Sequence, residues 1–360
     1  MHDCFEDSPL NSKPLVTFAL IAYNQERFIR EAVEGALAQT YSPLEIIISD
    51  DCSQDATFAV MKECVKNYSG PHKVILNRNA SNMGLGNHIN TVVNLSEGEF
   101  IVLAAGDDIS YSERTTKLVD AWLSNNKPVA MCSGFDCITD RGAPDGDSQA
   151  WYRNFMPHQG ENREEKLKRL VCHGVPAMIG CTEAWSKDLF SGFPPLSSGV
   201  WFEDCALSFR AWLIGQIHYL PECLVAYRRH KASISQYVGK NQNTFEAIIA
   251  QEKKRSLWCS WKISLLLMYK IDLDCALAQK IITNDIHQKI YKLINDQINI
   301  YKIRSEWWNK TISNKFLNSI FLIRKEKSWA SLRYIFPRLF SIRWFACLKL
   351  CKFSVDGSSE

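Results

Sequence analysis

Two pairs of adjacent aspartates each follow an apolar segment that reads as a buried strand. Asp50-Asp51 come directly after residues 44–49, and Asp107-Asp108 come directly after the apolar residues 100–106. The carboxyl ends of neighbouring parallel strands meet at one edge of a sheet, where such sheets bind ligands. Carboxylates at that edge can accept hydrogen bonds from a nucleotide or hold a cation that carries phosphates. The two pairs therefore predict an enzyme that handles a nucleotide, rather than a passive scaffold.

A third acidic pair, Glu203-Asp204, opens a segment whose apolar residues recur at helical spacing. A carboxylate in this place can take the proton of an attacking hydroxyl, a role worth ~10²–10⁴-fold in rate. The alternative is an acidic helix start that is stabilised by the helix dipole and has no catalytic role. The residues alone leave both alternatives open.

A basic run near residue 230 offers partners for phosphate. Arg228 and Arg229 can offset phosphate charge with a fork of donors, and His230 follows them. Successive side chains of a strand point to opposite faces, so only one of the two arginines can face such a site. The sequence leaves open which one does. The alternative is a solvated basic turn.

Strands and helices alternate through the first two thirds of the chain. Apolar runs predict strands at 15–22, 44–49, 73–76, 99–104 and 129–135. Segments with helical spacing separate them, so the pattern predicts an α/β fold with a mainly parallel sheet and helices on both faces. We further expect a strand at 174–182, two short strands within 216–228 and a surface loop at 136–165.

Charge is distributed unevenly along the 360 residues. Residues 1–240 hold 22 basic and 29 acidic side chains, whereas the rest of the chain holds 20 basic and 10 acidic ones. Helical spacing also replaces the alternating pattern beyond about residue 240. We therefore predict an N-terminal tail (1–13), an α/β domain (14–238) and a basic, α-helical C-terminal region (239–360).

The C-terminal region is a candidate for membrane contact. Between residues 301 and 353 there are twelve basic and two acidic residues, interleaved with aromatic ones. A basic amphipathic helix can lie on an anionic membrane surface, and packing as core is the equal alternative. We find no export signal, no apolar run of roughly 18 residues and no nucleic-acid motif. These features predict a cytoplasmic chain, peripheral on the inner face of the cytoplasmic membrane, whose 13 cysteines are reduced.

The order of the motifs carries more information than any one of them. Along the chain stand Tyr-Asn-Gln-Glu at 23–26, the acidic pair at 50–51, Asn-Met-Gly at 82–84, Gly-Asp-Asp at 106–108 and Glu-Asp at 203–204. This order resembles the donor-binding half of a family-2 glycosyltransferase of the GT-A, Rossmann-like fold. The resemblance covers roughly residues 14–230.

The resemblance implies a role for each candidate residue. Asp204 would be the general base that takes the proton of the acceptor hydroxyl, with Glu203 as its neighbour or as the alternative base. The nucleotide-sugar donor would contact Tyr23, Asn24, Glu26, Asp50, Asp51, Asn82, Asp107, Arg228 and Arg229. A divalent cation, Mg²⁺ or Mn²⁺, would be held by Asp107, Asp108 and His230. The family commonly has a further acid two places before this pair, where the present chain has Ala105. Whether Tyr23 lies against the nucleotide base or fills the core is left open.

The expected reaction is the inverting transfer of a sugar from a nucleotide-diphosphate sugar to a saccharide acceptor. A UDP-sugar is favoured, because a carboxylate can accept from the imide N–H of uracil. The family setting suggests bacterial surface polysaccharide assembly such as O-antigen or capsule, with an acceptor that could be polyprenyl-linked. One alternative is a sugar nucleotidyltransferase, although residues 22–26 lack its glycine-rich basic loop. The other is a non-catalytic membrane-associated protein with a decayed domain, which intact Asp107, Asp108 and Asp204 argue against.

Overall fold

A computed structural model describes residues 13–146, 161–174, 176–230, 233, 245–307, 314, 315 and 318. The chain divides into two compact units. The first contains Met1–Lys231 and Cys275–Ile282, and the second contains Ala232–Asp274 and Thr283–Glu360. The predicted boundary at residue 238, the predicted tail up to residue 12 and the basic segment beyond 318 lie outside the described residues.

An eight-stranded mixed sheet organises the first unit, in the order β3-β2-β1-β4-β7-β6-β8-β5. The strands are β1 (Val16–Ala22), β2 (Leu44–Asp50), β3 (Lys73–Arg78), β4 (Phe100–Ala105), β5 (Ile109–Ser110), β6 (Ala130–Thr139), β7 (Glu183–Ser186) and β8 (Ile217–Arg229). The pairs from β3 through β4 are parallel, as is β6 with β8, and the pairs made by β7 and β5 are antiparallel. The predicted mainly parallel α/β sheet is confirmed.

Helices accompany the strands and follow them in the second unit. The first unit has α1 (Ile29–Leu37), α2 (Thr57–Lys66), α3 (Leu85–Leu95), α4 (Arg114–Ser124), α5 (Arg163–His173) and α6 (Glu203–Ile214). The second has α7 (Phe245–Ala278), up to Asp274, and α8 (Asn284–Ser305). There the Trp258 and Tyr301 rings meet edge to face at 5.7 Å, so the two helices pack together. Among the described residues no helix combines the length and apolarity needed to cross a membrane.

The central strands are buried along their whole length. All seven residues of β1 and of β2 are buried, as expected for parallel strands with both faces covered. Strand β1 lies between β2 and β4, with Ala22 opposite Asp50 and Ile21 opposite Ala105. The chain therefore leaves β2 and β4 on either side of the end of β1, which brings both aspartate pairs to one sheet edge.

Two of the expected strands differ from the observed ones. Residues 174–182 contain no strand among those described: Gly174 ends α5 in a left-handed conformation, and Gly180–Thr182 form a 3-10 turn before β7. The two short strands expected within 216–228 are one strand, β8. Its register against β6 shifts around Gly134, a bulge that accommodates Pro221, which has no N–H for the ladder.

The long loop expected at 136–165 is shorter than predicted. Strand β6 continues to Thr139 and α5 begins at Arg163, where Asn162 and Glu165 form a reciprocal capping box. Residues 147–160 lie outside the described part of the chain. No disulfide bond links any of the ten described cysteines.

Candidate active site

The first aspartate pair is held by the protein itself. Asp50 is fully buried and accepts from the backbone N–H and the hydroxyl of Ser53, with the N–H at 3.1 Å. The Arg78 guanidinium lies 3.2 Å from its Oδ2. A carboxylate with these partners builds the turn after β2. Direct contact of Asp50 with a donor stays a prediction.

Asp51 orders the segment that follows β3. Its carboxylate accepts from the Asn79 side chain at 2.7 Å and from the backbone N–H groups of Met83 and Gly84 at 3.0 Å each. Gly84 has a φ of 77°, a conformation that favours glycine. Asn82 lies in the same turn and accepts from the Gly84 N–H at 3.0 Å. Asp51 therefore shapes the turn that contains the predicted donor contact Asn82.

The turn after β1 is tied to the turn after β2. The backbone N–H of Asn24 donates to the Ser53 hydroxyl at 2.8 Å, and the Asn24 side chain accepts from Gln54 at the same distance. The Glu26 carboxylate accepts from the Ala56 N–H at 2.9 Å. Tyr23 is 42% exposed, so it does not fill the core. Tyr23, Asn24 and Glu26 are all exposed, but Asn24 and Glu26 already accept hydrogen bonds that join the two turns.

The second aspartate pair divides into a buried and an accessible carboxylate. Asp108 is buried, accepts from the Arg228 backbone N–H at 2.8 Å and is hydrogen-bonded by the Cys181 thiol. Burial, and then the nearby Asp107 charge, raise the pKa of Asp108 well above its usual value. Asp107 is 17% exposed, and its Oδ2 lies 2.9 Å from Nε2 of His230. Asp107 is therefore the member of the pair that a ligand can reach.

The two arginines of β8 point away from each other, as the strand geometry requires. Arg228 is 1% exposed, and its Nε donates to the Asp107 carbonyl oxygen at 2.9 Å. Arg229 is 34% exposed and lies 3.7 Å from Asp145. Arg228 is thus the arginine on the side of the aspartate pair. Whether either side chain contacts a diphosphate stays a prediction.

The third acidic pair opens α6, as predicted. The Asp204 carboxylate accepts from the Cys205 N–H at 2.6 Å. The Glu203 side chain lies against Gly180, where a Cβ would collide with its Oε1. Burial, and then the Asp204 charge, raise the pKa of Glu203 to about 8. Glu203 therefore keeps a proton at neutral pH, and Asp204 is the better candidate for a base.

Glu183 is a further acid at this site that sequence reasoning missed. It is fully buried at the start of β7, where its Oε2 accepts from the Trp185 indole at 2.9 Å. Among the described residues its Oε1 has no hydrogen-bond partner. Burial raises its pKa well above the usual value, and the charges of Glu203 and Asp204 raise it further. The signal available in the sequence was an acid beside apolar residues. The strand predicted at 174–182 stopped one residue before Glu183, so the acid was not assigned to the sheet.

The acidic residues near β4 fit a hard cation as a partial site. Within the described part of the chain, no three His, Cys, Asp or Glu side chains are grouped as a complete metal centre. Asp107 has its Oδ2 engaged with His230, and its Oδ1 has no hydrogen bond with a described residue. Carboxylate oxygen is the ligand type that Mg²⁺ prefers, and Mg²⁺ completes its shell with water and substrate phosphates. The donor set therefore suits a cation that is shared with a phosphorylated ligand.

Known proteins resemble both the sequence and the fold. The model of the family described as "Glycosyl transferase family 2" matches residues 17–182. An uncharacterised protein of Mycobacterium tuberculosis is 27% identical over 219 residues, which are 59% of this chain and 58% of that protein. An uncharacterised glycosyltransferase of Rickettsia typhi is 25% identical over 248 residues, 68% of this chain and 70% of that protein. The alignment thus spans less than two thirds of the mycobacterial relative.

A solved structure supports the fold. Residues 1–349 of TarS from S. aureus align with a TM-score of 0.53 and 14% identity, over 95% of this chain and 92% of that one. At this identity the similarity concerns the fold alone. The matched residues 17–182 contain both aspartate pairs at the sheet edge. Residues 17–182 of the chain are thus similar in sequence to glycosyl transferase family 2.

Proposed function

We propose that this protein transfers a sugar from a nucleotide-diphosphate sugar to a saccharide acceptor. The observation that carries the proposal is the accessible carboxylate of Asp107 at the end of β4, on the same sheet edge as the turns after β1 and β2. Ligands of open α/β sheets bind at the carboxyl ends of the strands. The match of residues 17–182 to the family model favours a transferase over the alternative of a sugar nucleotidyltransferase.

The chemistry that we propose is a direct displacement with inversion. Asp204 takes the proton of the acceptor hydroxyl while that oxygen forms a bond to C1 of the sugar. The bond between C1 and the phosphate oxygen breaks, and the nucleoside diphosphate leaves with the electron pair. Glu203 has a raised pKa and stays protonated, so the negative charge of the pair is concentrated on Asp204. The support for this assignment is the position of both acids in the first turn of α6.

A divalent cation, Mg²⁺ or Mn²⁺, would stabilise the charge that develops on the leaving diphosphate. Asp107 is the residue best placed to hold it, with His230 fixing the orientation of the carboxylate at 2.9 Å. Asp108 is buried and bonded to the Arg228 backbone, which favours a supporting role. Direct ligation by Asp108 or His230 stays a prediction.

We infer a UDP-sugar as the preferred donor. The carboxylate of Asp51 is engaged by Asn79 and by two backbone N–H groups, so its support for the base would act mainly through the turn that it orders. Tyr23 is exposed at the same edge and can offer an aromatic face to the base. Asn24, Glu26 and Asp50 hold these turns in place.

Surface polysaccharide assembly is the setting that we propose, with a polyprenyl-linked saccharide as one candidate acceptor. The basic aromatic residues between 301 and 353 motivate peripheral attachment to an anionic membrane. Most of them lie outside the described residues. Binding of the full chain to anionic liposomes at low salt would support this part of the proposal, and no binding would contradict it.

A thermal-shift screen tests the donor class. The full chain is heated with UDP, GDP, dTDP or CDP, each with Mn²⁺ and each with EDTA. A ligand at 100 times its Kd stabilises the folded state by about 2.7 kcal/mol, so a true donor nucleotide raises the melting temperature measurably. We expect UDP with Mn²⁺ to give the largest increase and EDTA to remove it. If no nucleotide raises the melting temperature, the proposed function fails.

A further inference from the structure

Glu31 on α1 is linked to the aspartate pair through a buried arginine. Its Oε2 lies 2.7 Å from Nη2 of Arg228. The Arg228 side chain is almost completely inaccessible, whereas Glu31 is 49% exposed. Glu31 stood outside the predicted site, because its partner lies 197 positions further along the chain. The contact connects α1 to the end of β8.

Arg228 in turn contacts both members of the pair. Its backbone N–H donates to Asp108 at 2.8 Å, and its Nε donates to the carbonyl oxygen of Asp107 at 2.9 Å. A guanidinium is planar, so binding at Nε and at Nη2 fixes the directions of both bonds together. The orientation of the peptide unit at Asp107 is therefore coupled to the position of Glu31.

The Phe28 ring, which directly precedes α1, lies against both Arg228 and His230. The Arg228 guanidinium carbon lies 5.0 Å from the centre of the Phe28 ring. The His230 ring lies 4.7 Å from that of Phe28 and reaches the Asp107 carboxylate. Asp107 is thus held at its carbonyl by Arg228 and at its carboxylate by His230. Both holding groups rest on the segment around Phe28 and Glu31.

The charges make Glu31 essential to this arrangement. Among the described residues it is the one carboxylate in an ion pair with Arg228. Removal of the Glu31 carboxylate leaves the charge of the buried Arg228 guanidinium without this partner, which is unfavourable. Without the Glu31 charge, the guanidinium gains by turning toward water. That movement would break its bond to Asp107.

We propose that Glu31 and Arg228 are positioning residues that set the orientation of Asp107 for a divalent cation. The inference rests on the proposed function, because the cation is the one shared with the donor diphosphate. Residues that orient a metal ligand through hydrogen bonds typically contribute 10–100-fold to metal affinity. A purely structural ion pair would instead alter the stability of the fold and leave the affinity unchanged.

The test is the affinity of the full chain for Mn²⁺ in the presence of UDP, measured by electron paramagnetic resonance of free Mn²⁺. We expect Glu31→Gln to weaken Mn²⁺ binding about 10-fold while the melting temperature stays close to that of the wild type. Glu34→Gln is the matched control. It removes an exposed carboxylate from the same helix, at a position without a contact to Arg228, and should leave Mn²⁺ affinity unchanged.

A second variant keeps the test decisive. Arg228→Lys retains the positive charge but cannot donate to Glu31 and Asp107 in the same planar geometry, so it should weaken Mn²⁺ binding at least as much. It replaces Glu31→Gln if that variant fails to fold. Wild-type affinity in either folded variant overturns the inference alone. Absence of Mn²⁺ and UDP binding by the wild-type chain overturns the proposed function, and the inference with it.

Discussion

The two aspartate pairs occupy equivalent places in the sheet but have opposite surroundings. Each follows a parallel strand next to β1. Asp50 and Asp51 receive hydrogen bonds from nearby protein donors and support turns. Asp107 keeps an accessible carboxylate that His230 contacts at one oxygen. The same dipeptide therefore serves as a turn anchor in one place and as a candidate ligand in the other.

The difference comes from the chain that surrounds each pair. The partners of the first pair follow within about 35 positions, because residues 53 and 79–84 fold back over the end of β2. The partners of the second pair come from the end of β8, more than 100 positions away. Local segments supply backbone N–H groups that saturate a carboxylate. The distant strand supplies a backbone N–H to Asp108, and His230 just beyond it contacts one oxygen of Asp107 and leaves part of that carboxylate open.

Replacement of Asp107 is expected to have the largest effect on sugar transfer. Asp107→Asn should lower kcat/KM about 10³-fold, since loss of metal-ion stabilisation costs several kcal/mol in the transition state and each 1.36 kcal/mol is tenfold in rate. The free energy of unfolding should change little, because Asp107 is partly exposed. Sugar transfer assays and urea unfolding measure the two quantities. Near-normal transfer by a folded Asp107→Asn protein would contradict the assignment.

The pair that opens α6 should show a similar division of roles. Asp204→Asn should lower kcat roughly 10²-fold or more, because an amide cannot accept the acceptor proton. Donor binding should remain, since the base acts on the other substrate. Glu203→Gln is the matched control and should retain most activity near pH 7, where Glu203 already carries a proton. If Asp204→Asn weakens only donor affinity, the base lies elsewhere.

Asp51 should show the reverse of the behaviour of Asp107. Asp51→Asn replaces a buried carboxylate that accepts from three donors, so it should destabilise the fold by about 1.5–3 kcal/mol. Urea unfolding of Asp51→Asn and Asp107→Asn, side by side, measures the contrast. Equal stability of the two variants would remove the distinction between an anchoring and a ligand-facing pair.

The sequence allowed the sheet and the aspartate pairs to be predicted, because β1, β2 and β4 are largely apolar runs with polar residues at or just beyond their ends. It did not reveal Glu183 or Glu31, whose importance comes from contacts in space. Glu183 lies beside Glu203 and Asp204 only after β7 has packed next to β4. In the sequence Glu31 looks like an ordinary exposed helix residue. Its contact with Arg228 of β8 exists only in the folded structure. Local periodicity contains no information about such distant pairings.

The pH dependence of stability is the subtlest expected difference and concerns Glu203. Its pKa is raised from 4.5 to about 8 in the folded protein, so between these values the folded state binds more protons than the unfolded state. Stability therefore falls as the pH rises from about 4.5 to about 8. Glu203→Gln lacks this titration, and its free energy of unfolding relative to the wild type should increase across the same range. Urea unfolding at pH 5, 6.5 and 8 measures the change, with exposed Glu34→Gln as the control. A constant difference between Glu203→Gln and the wild type at all three pH values would mean that Glu203 is ionised in the folded protein, and that the negative charge is shared by both acids rather than concentrated on Asp204.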